Sequence, residues 1–136
     1  MRKPISTKTH AMLDYLTATT FIVLPEAMGW STPLKRAVQF VGLGKLLYAM
    51  GTDHEGGLVR AIPMKTHLVL DTIGGATLAA LPHLVGDADQ DEGAAEVLGA
   101  LGVFDIAAAP MTETQASDWS PVRQAAQHVA QSVGAA

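Results

Sequence analysis

The sequence predicts an all-α protein: a four-transmembrane-helix bundle made of two tandem helical hairpins related by a pseudo-two-fold axis, with a short C-terminal tail helix. Three observations carry this expectation: an internal repeat, four apolar stretches of near-bilayer length, and basic residues gathered on one side of the resulting topology. Laid on itself at an offset of 57, the chain aligns Ile5, Lys8-Thr9-His10, Leu13-Asp14, Thr20, Leu24-Pro25 and Gly29 with Ile62, Lys65-Thr66-His67, Leu70-Asp71, Thr77, Leu81-Pro82 and Gly86. A weaker match, slipped by three, sets Thr52-Asp53 beside Thr112-Glu113. The repeated unit is therefore a hairpin, with repeat 1 over about 5–57 and repeat 2 over about 62–115.

Element by element, the first stretch, residues 11–30, follows Met1-Arg2-Lys3-Pro4. That charged start resembles a signal peptide, but the apolar run after it carries Asp14 and offers no small-residue cleavage site, so it reads as a retained helix. Phe21-Ile22-Val23-Leu24 makes it apolar around its circumference, where a soluble amphipathic helix would show a polar stripe. The second stretch, 34–51, the third, 66–86, and the fourth, 94–111, have similar length; a span needs roughly 17 to 25 residues. Pro25 and Pro82 fall near helix ends, where a lost backbone donor costs least, and Gly29 and Gly86 can close those helices. Arg2, Lys3, Lys8, Arg60, Lys65 and Arg123 fall on one side of a four-span topology against Lys35 and Arg36 on the other, which places both termini in the cytoplasm of a cell whose inner membrane the chain crosses. The acidic turn Asp87-Ala88-Asp89-Gln90-Asp91-Glu92 faces outward as a solvated loop. Residues 1–115 thus form the membrane domain, and 116–136 form a polar cytoplasmic tail in which Val122 to Val133 has loose helical spacing. A soluble, alanine-rich four-helix bundle is the competing architecture, kept open by a mean hydropathy of only +0.23.

Composition removes several functions. A net charge of −4 excludes a nucleic-acid binder, because neutralising phosphates needs a clustered basic excess. The absence of cysteine excludes disulfides, thiolate catalysis and Cys-ligated metal centres. No phosphate-cradling glycine loop, nucleophile elbow or HExxH occurs, so a conventional hydrolase or kinase is not expected.

Thr52-Asp53, Gly57-Leu58-Val59-Arg60, Ile62-Pro63-Met64-Lys65, His67 with Asp71, and Met111-Thr112-Glu113-Thr114 resemble the SPW-repeat family of small bacterial membrane proteins over about residues 4–115. The resemblance implies tandem helical hairpins and assigns no activity. Where the Ser-Pro-Trp signature would stand, the chain reads Leu24-Pro25-Glu26 and Leu81-Pro82-His83, and Trp30 is the candidate substitute for an interfacial tryptophan anchor.

Chemistry concentrates in two duplicated pairs. His10 and Asp14 are repeat mates of His67 and Asp71, and i, i+4 spacing puts each His and its Asp on one helix face. If the two faces meet at the axis, two imidazoles and two carboxylates converge. They can bind a divalent metal, with His10 and His67 as the imidazole ligands, or relay protons; a bis-imidazole haem fits their near-interface depth less well. The structural reading is that each Asp fixes its own His. Lys45 and Asp105, each seven residues before its threonine, lie at one depth, roughly 10 Å inside the helix end, and suggest an intramembrane ion pair. Tyr15 and Tyr48 can extend the network through their hydroxyls, and Glu26 and His83 are equivalent by repeat and candidates for a contact. Gly42, Gly44, Gly74, Gly75, Ala95, Gly99 and Gly102 are expected to let helices approach closely.

Two functions lead on the residues alone: a non-enzymatic structural or interaction module specified by a buried polar layer, or a metal-binding or ion- or proton-translocating protein using the same layer; an enzyme stays open only as a small redox or transfer reaction whose substrate no residue specifies. The expected partners are the lipid bilayer and, in its plane, a second copy or another membrane protein.

Overall fold

A computed structural model describes residues 2–116 and 121–135. Among these, the chain is all-α, in the order α1 (Thr7–Ala27), α2 (Thr32–Met50), α3 (Met64–Val85), α4 (Ala94–Met111) and α5 (Pro121–Gly134). The helix starting α1 begins earlier than its apolar run because Ser6 caps it, its hydroxyl accepting the Thr9 N–H at 3.1 Å. It ends after Pro25, where the Met28 N–H still reaches Leu24 O at 2.9 Å and Gly29 turns the chain at a φ of +67° that a glycine adopts without strain. Pro33 opens α2 at a position where its missing N–H is not needed. The predicted tail helix is α5; Ser120, which precedes it, lies outside the described residues.

Helices α1 with α2 and α3 with α4 pack as hairpins, and α2 packs on α3. The hairpins are tied end to end by short extended backbone pairings. Asp53 donates to Ile62 O at 2.9 Å and Ile62 to Gly51 O at 2.8 Å, joining the end of α2 to the start of α3. Ile5 donates to Met111 O at 3.1 Å and Glu113 to Ile5 O at 2.9 Å, joining the end of α4 back to the start of α1. Ile5 and Ile62 are repeat mates, as are Thr52 and Thr112, so each pairing reproduces the other.

Burial follows the repeat. His10, Ala11, Asp14, Ala18 and Phe21 are buried on α1, as are His67, Leu68, Asp71, Gly75 and Leu78 on α3. On α2 the buried stripe is Leu34, Val38, Gly42, Lys45 and Ala49; its partners sixty residues on, Ala94, Leu98, Gly102, Asp105 and Ala109, are buried on α4. One end of the bundle is an apolar core of Phe21, Trp30, Leu34, Val38, Leu78, Leu81, Ala94 and Leu98. Trp30 is thus a core residue, only 2% exposed, and not the interfacial anchor that the sequence suggested; the αL turn at Gly29 folds it inward. The other half of the interior is charged, while Met12, Leu16, Phe40, Leu47, Val69, Ile73 and Val103 face outward. Phe40 is 77% exposed where Lys45 is 2% exposed, the reverse of what a bundle in water would bury.

Of the small residues expected at helix contacts, Gly42, Gly75 and Gly102 stand where two helices approach closely. A Cβ on Gly75 would stand 2.5 Å from Gly102 O, one on Gly102 would meet Gly75 O, and one on Gly42 would stand 2.9 Å from the Phe21 Cβ. Gly44 and Gly99 face open space instead. Helices α3 and α4, of 22 and 18 residues with mean hydropathy 1.5 each, are long and apolar enough to cross a membrane. By the same measure α1 and α2 fall short, since α1 carries Lys8, His10, Asp14 and Glu26 and α2 carries Lys35, Arg36, Gln39 and Lys45.

Candidate functional site

The i, i+4 spacing aims His10 and Asp14 inward from α1 and His67 and Asp71 inward from α3, and Lys45 on α2 and Asp105 on α4 close the layer. None of the six is more than 5% exposed. The four His and Asp side chains converge, one donor atom from each lying within 4.8 Å of every other.

Pairing within the layer crosses the repeats. His10 Nε2 lies 2.7 Å from Asp71 Oδ2 but 3.5 Å from Asp14, and His67 Nε2 lies 2.8 Å from Asp14 Oδ2 but 3.2 Å from Asp71. Each Asp therefore sits closer to the other repeat's His than to its own, so the pairing expected within each helix gives way to one across the α1–α3 contact. Lys45 is shared more widely than the single ion pair expected: its Nζ lies 2.7 Å from Asp71 Oδ1, 3.1 Å from Asp14 Oδ1 and 3.3 Å from Asp105 Oδ2. Asp105 is the longest of the three contacts. The Tyr48 hydroxyl extends the network as the sequence allowed, donating to Asp71 Oδ1 at 2.7 Å. Tyr15 instead donates to Gly56 O at 2.6 Å, and Glu26 pairs with Lys35 at 2.9 Å.

Two threonines complete the layer. The Thr112 hydroxyl donates to Ala108 O at 2.8 Å and lies 2.8 Å from His10 Nδ1; the Thr52 hydroxyl donates to Tyr48 O at 2.6 Å and lies 2.8 Å from His67 Nδ1. A hydroxyl has one hydrogen, and a carbonyl cannot supply another, so each threonine oxygen must accept from the imidazole. Nδ1 of both histidines therefore carries a hydrogen, and both Nε2 atoms are turned toward the carboxylates. An ionised carboxylate only accepts, so the 2.7 Å bond between His10 Nε2 and Asp71 Oδ2 needs a second hydrogen on that ring; three carboxylates are balanced by Lys45 and two doubly protonated imidazoles, and are two negative charges in excess when both imidazoles are neutral. Geometry is not saturated either: Asp14 Oδ2 and His67 Nε2 are buried 2.8 Å apart without an aligned hydrogen bond.

The loop between α2 and α3 folds over this end. Glu55 accepts the Thr7 hydroxyl at 2.7 Å, and His54, fully buried, packs its ring edge-on to His67 with centroids 5.7 Å apart. Burial, and then the neighbouring His67, hold the His54 imidazole below its ordinary value. His54 Nδ1 accepts the Gly56 N–H at 3.1 Å. At the opposite end, Asp91 accepts the N–H and hydroxyl of Ser31 and the N–H of Asp87, each at 2.6 Å. Burial raises the Asp91 carboxyl, but these bonds, the Ser31 hydroxyl first, outweigh it and hold the group below the usual carboxylate range.

Thr52 and Thr112 were visible in sequence as repeat mates ending α2 and α4, but nothing in that pattern said that they would meet the histidines. His54 and Asp91 have no repeat signal at all. Comparison with known proteins places no neighbour beside the chain: no family model, curated protein or solved structure matches it.

Proposed function

We propose that the chain is a small multi-pass membrane protein of the SPW-repeat type, with four spans and both termini cytoplasmic, acting as a non-enzymatic membrane module. In this reading the two hairpins are related by a pseudo-two-fold axis along the membrane normal, and the charged layer is what specifies their assembly. The observation that carries it is the inverted burial: six ionisable residues are enclosed while Phe40, Leu47, Ile73 and Val103 face outward. In water that arrangement forfeits apolar burial and desolvates charge; in a bilayer the outer face meets lipid and the enclosed carboxylates lie against Lys45 and the two imidazoles. Only 28% of the α3 window and 33% of the α4 window are buried, whereas a core helix of a soluble protein is mostly buried. The matching pairings at Ile5 with Thr112 and Thr52 with Ile62, and the burial pattern repeated between hairpins, support the two-fold relation.

Absence of cysteine gives a direct test. Asp89→Cys places a thiol in the loop between α3 and α4, and Leu58→Cys places one in the exposed part of the α2–α3 loop. The protein is expected in the membrane fraction, with the residue 89 thiol labelled by an impermeant maleimide on intact spheroplasts and the residue 58 thiol labelled only after lysis. Recovery of the chain in the soluble fraction overturns the membrane reading, and the reverse labelling overturns the orientation.

A further inference from the structure

We propose that the interior layer is a binding site for one divalent first-row transition cation, of the zinc, cobalt(II) or iron(II) class. Nε2 of His10 and His67 and Oδ2 of Asp14 and Asp71 are its ligands. The assignment rests on how the atoms of these four side chains divide into two sets. The outward atoms are all engaged by protein: each Nδ1 by a threonine hydroxyl, Asp14 Oδ1 by Lys45, and Asp71 Oδ1 by Lys45 and Tyr48. The inward atoms face one another, at 2.7 Å for His10 with Asp71, 2.8 Å for His67 with Asp14, and 3.2 Å for His67 with Asp71.

Engagement of the far atoms is the arrangement metal sites use to fix ring orientation and to present the lone pair of the near nitrogen. Tetrahedral N and O ligands at about 2.0–2.1 Å from an ion stand roughly 3.3 Å apart. The three short separations lie below that value and one donor atom of each residue lies within 4.8 Å of every other, so small outward side-chain adjustments bring the four atoms onto one ion. His67 Nε2 and Asp14 Oδ2 give the independent sign of a ligand. Both are buried, they lie 2.8 Å apart, and neither makes an aligned hydrogen bond, the relation of two donors directed at a common third point.

Charge and donor type set the class of ion. With both imidazoles neutral, as ligation requires, three carboxylates and one ammonium leave an excess that a single divalent cation cancels, the ion taking the place of the Nε2 hydrogens. A donor set of two imidazole nitrogens and two carboxylate oxygens selects zinc-like ions over magnesium and calcium, which take oxygen ligands in larger number. Four protein ligands fill a tetrahedral shell and leave no position for an activated water. The ion is therefore held or handed on, and the site is not a hydrolytic centre.

The test uses the full chain in detergent, stripped with a chelator and titrated with Co2+ and Zn2+. One Co2+ per chain is expected, with the intense visible absorption of tetrahedral coordination, displaced by Zn2+ and indifferent to millimolar Mg2+. Replacing ligands, as in His10→Asn and Asp14→Asn, should abolish the spectrum. Because those changes also disturb the charged layer, Thr52→Val and Thr112→Val supply a second arm that leaves all four ligands in place. Each should lower the affinity roughly 10- to 100-fold while the helical circular dichroism is unchanged. A folded protein that takes up no stoichiometric Co2+ overturns the proposal. So does Co2+ bound with undiminished affinity by folded threonine variants or by a folded His10→Asn/His67→Asn variant, which would locate the ion elsewhere on the chain.

Discussion

Lys45 and Asp105 lie at matching places on the buried stripes of α2 and α4, and exchanging their charges tests both the layer and the proposed two-fold relation of the hairpins. The Lys45 ammonium touches Asp71, Asp14 and Asp105 at 2.7, 3.1 and 3.3 Å and is 2% exposed, so Lys45→Met leaves three enclosed carboxylates without their shared cation. Removing one partner of a buried pair costs about 3–5 kcal/mol. At about 1.36 kcal/mol per decade, that is about two to nearly four orders of magnitude in the folding equilibrium. Lys45→Asp should be worse, since it adds a fourth carboxylate to the three. If residue 105 stands to Asp14 and Asp71 as residue 45 stands to Asp71 and Asp14, the double variant Lys45→Asp/Asp105→Lys restores an ammonium against the same two carboxylates, now with Asp14 the nearer. More than half of the loss should return, leaving a deficit below about 2 kcal/mol. The assay is unfolding by SDS in mixed micelles, followed by helical circular dichroism and run on metal-free wild type, both single variants and the double. A double variant no more stable than Lys45→Asp refutes the equivalence of the two positions. A Lys45→Met protein as stable as wild type refutes the role of the layer itself.

Two further outcomes follow from particular contacts. Gly75→Ala should destabilise the chain by about 1–3 kcal/mol through α3 and α4 being forced apart at Gly102, whereas Gly99→Ala, in open space, should be neutral or stabilising by about 0.5–1 kcal/mol; comparison of their SDS midpoints decides. Asp91→Asn should cost about 1.5–3 kcal/mol at neutral pH through its weakened bonds to Ser31 and Asp87. Because the folded Asp91 carboxyl is held low, that contribution is complete above the ordinary carboxylate value near about 4 and is lost as pH falls through the folded value. The wild-type and Asp91→Asn unfolding midpoints should therefore converge on acidification, and a gap that persists into strong acid would assign the effect to packing.

Ten identities at one offset determined that the chain is a duplicated helical hairpin, and i, i+4 spacing determined that His10 with Asp14 and His67 with Asp71 each share a face. Those inferences need only the pitch of a helix, which every helix shares. The tertiary structure decided the partners: Asp71 against His10, Asp14 against His67, Lys45 across three carboxylates, and Thr52 and Thr112 holding the far nitrogens. It also turned Trp30 into the core and laid His54 over the layer, neither of which has a repeat mate that could have announced it. Spacing along a helix fixes the direction in which a side chain leaves its own axis. Which atom it meets depends on small differences in the distance between helices, and here those are set by contacts remote in sequence, such as the backbones meeting at Gly75 and Gly102.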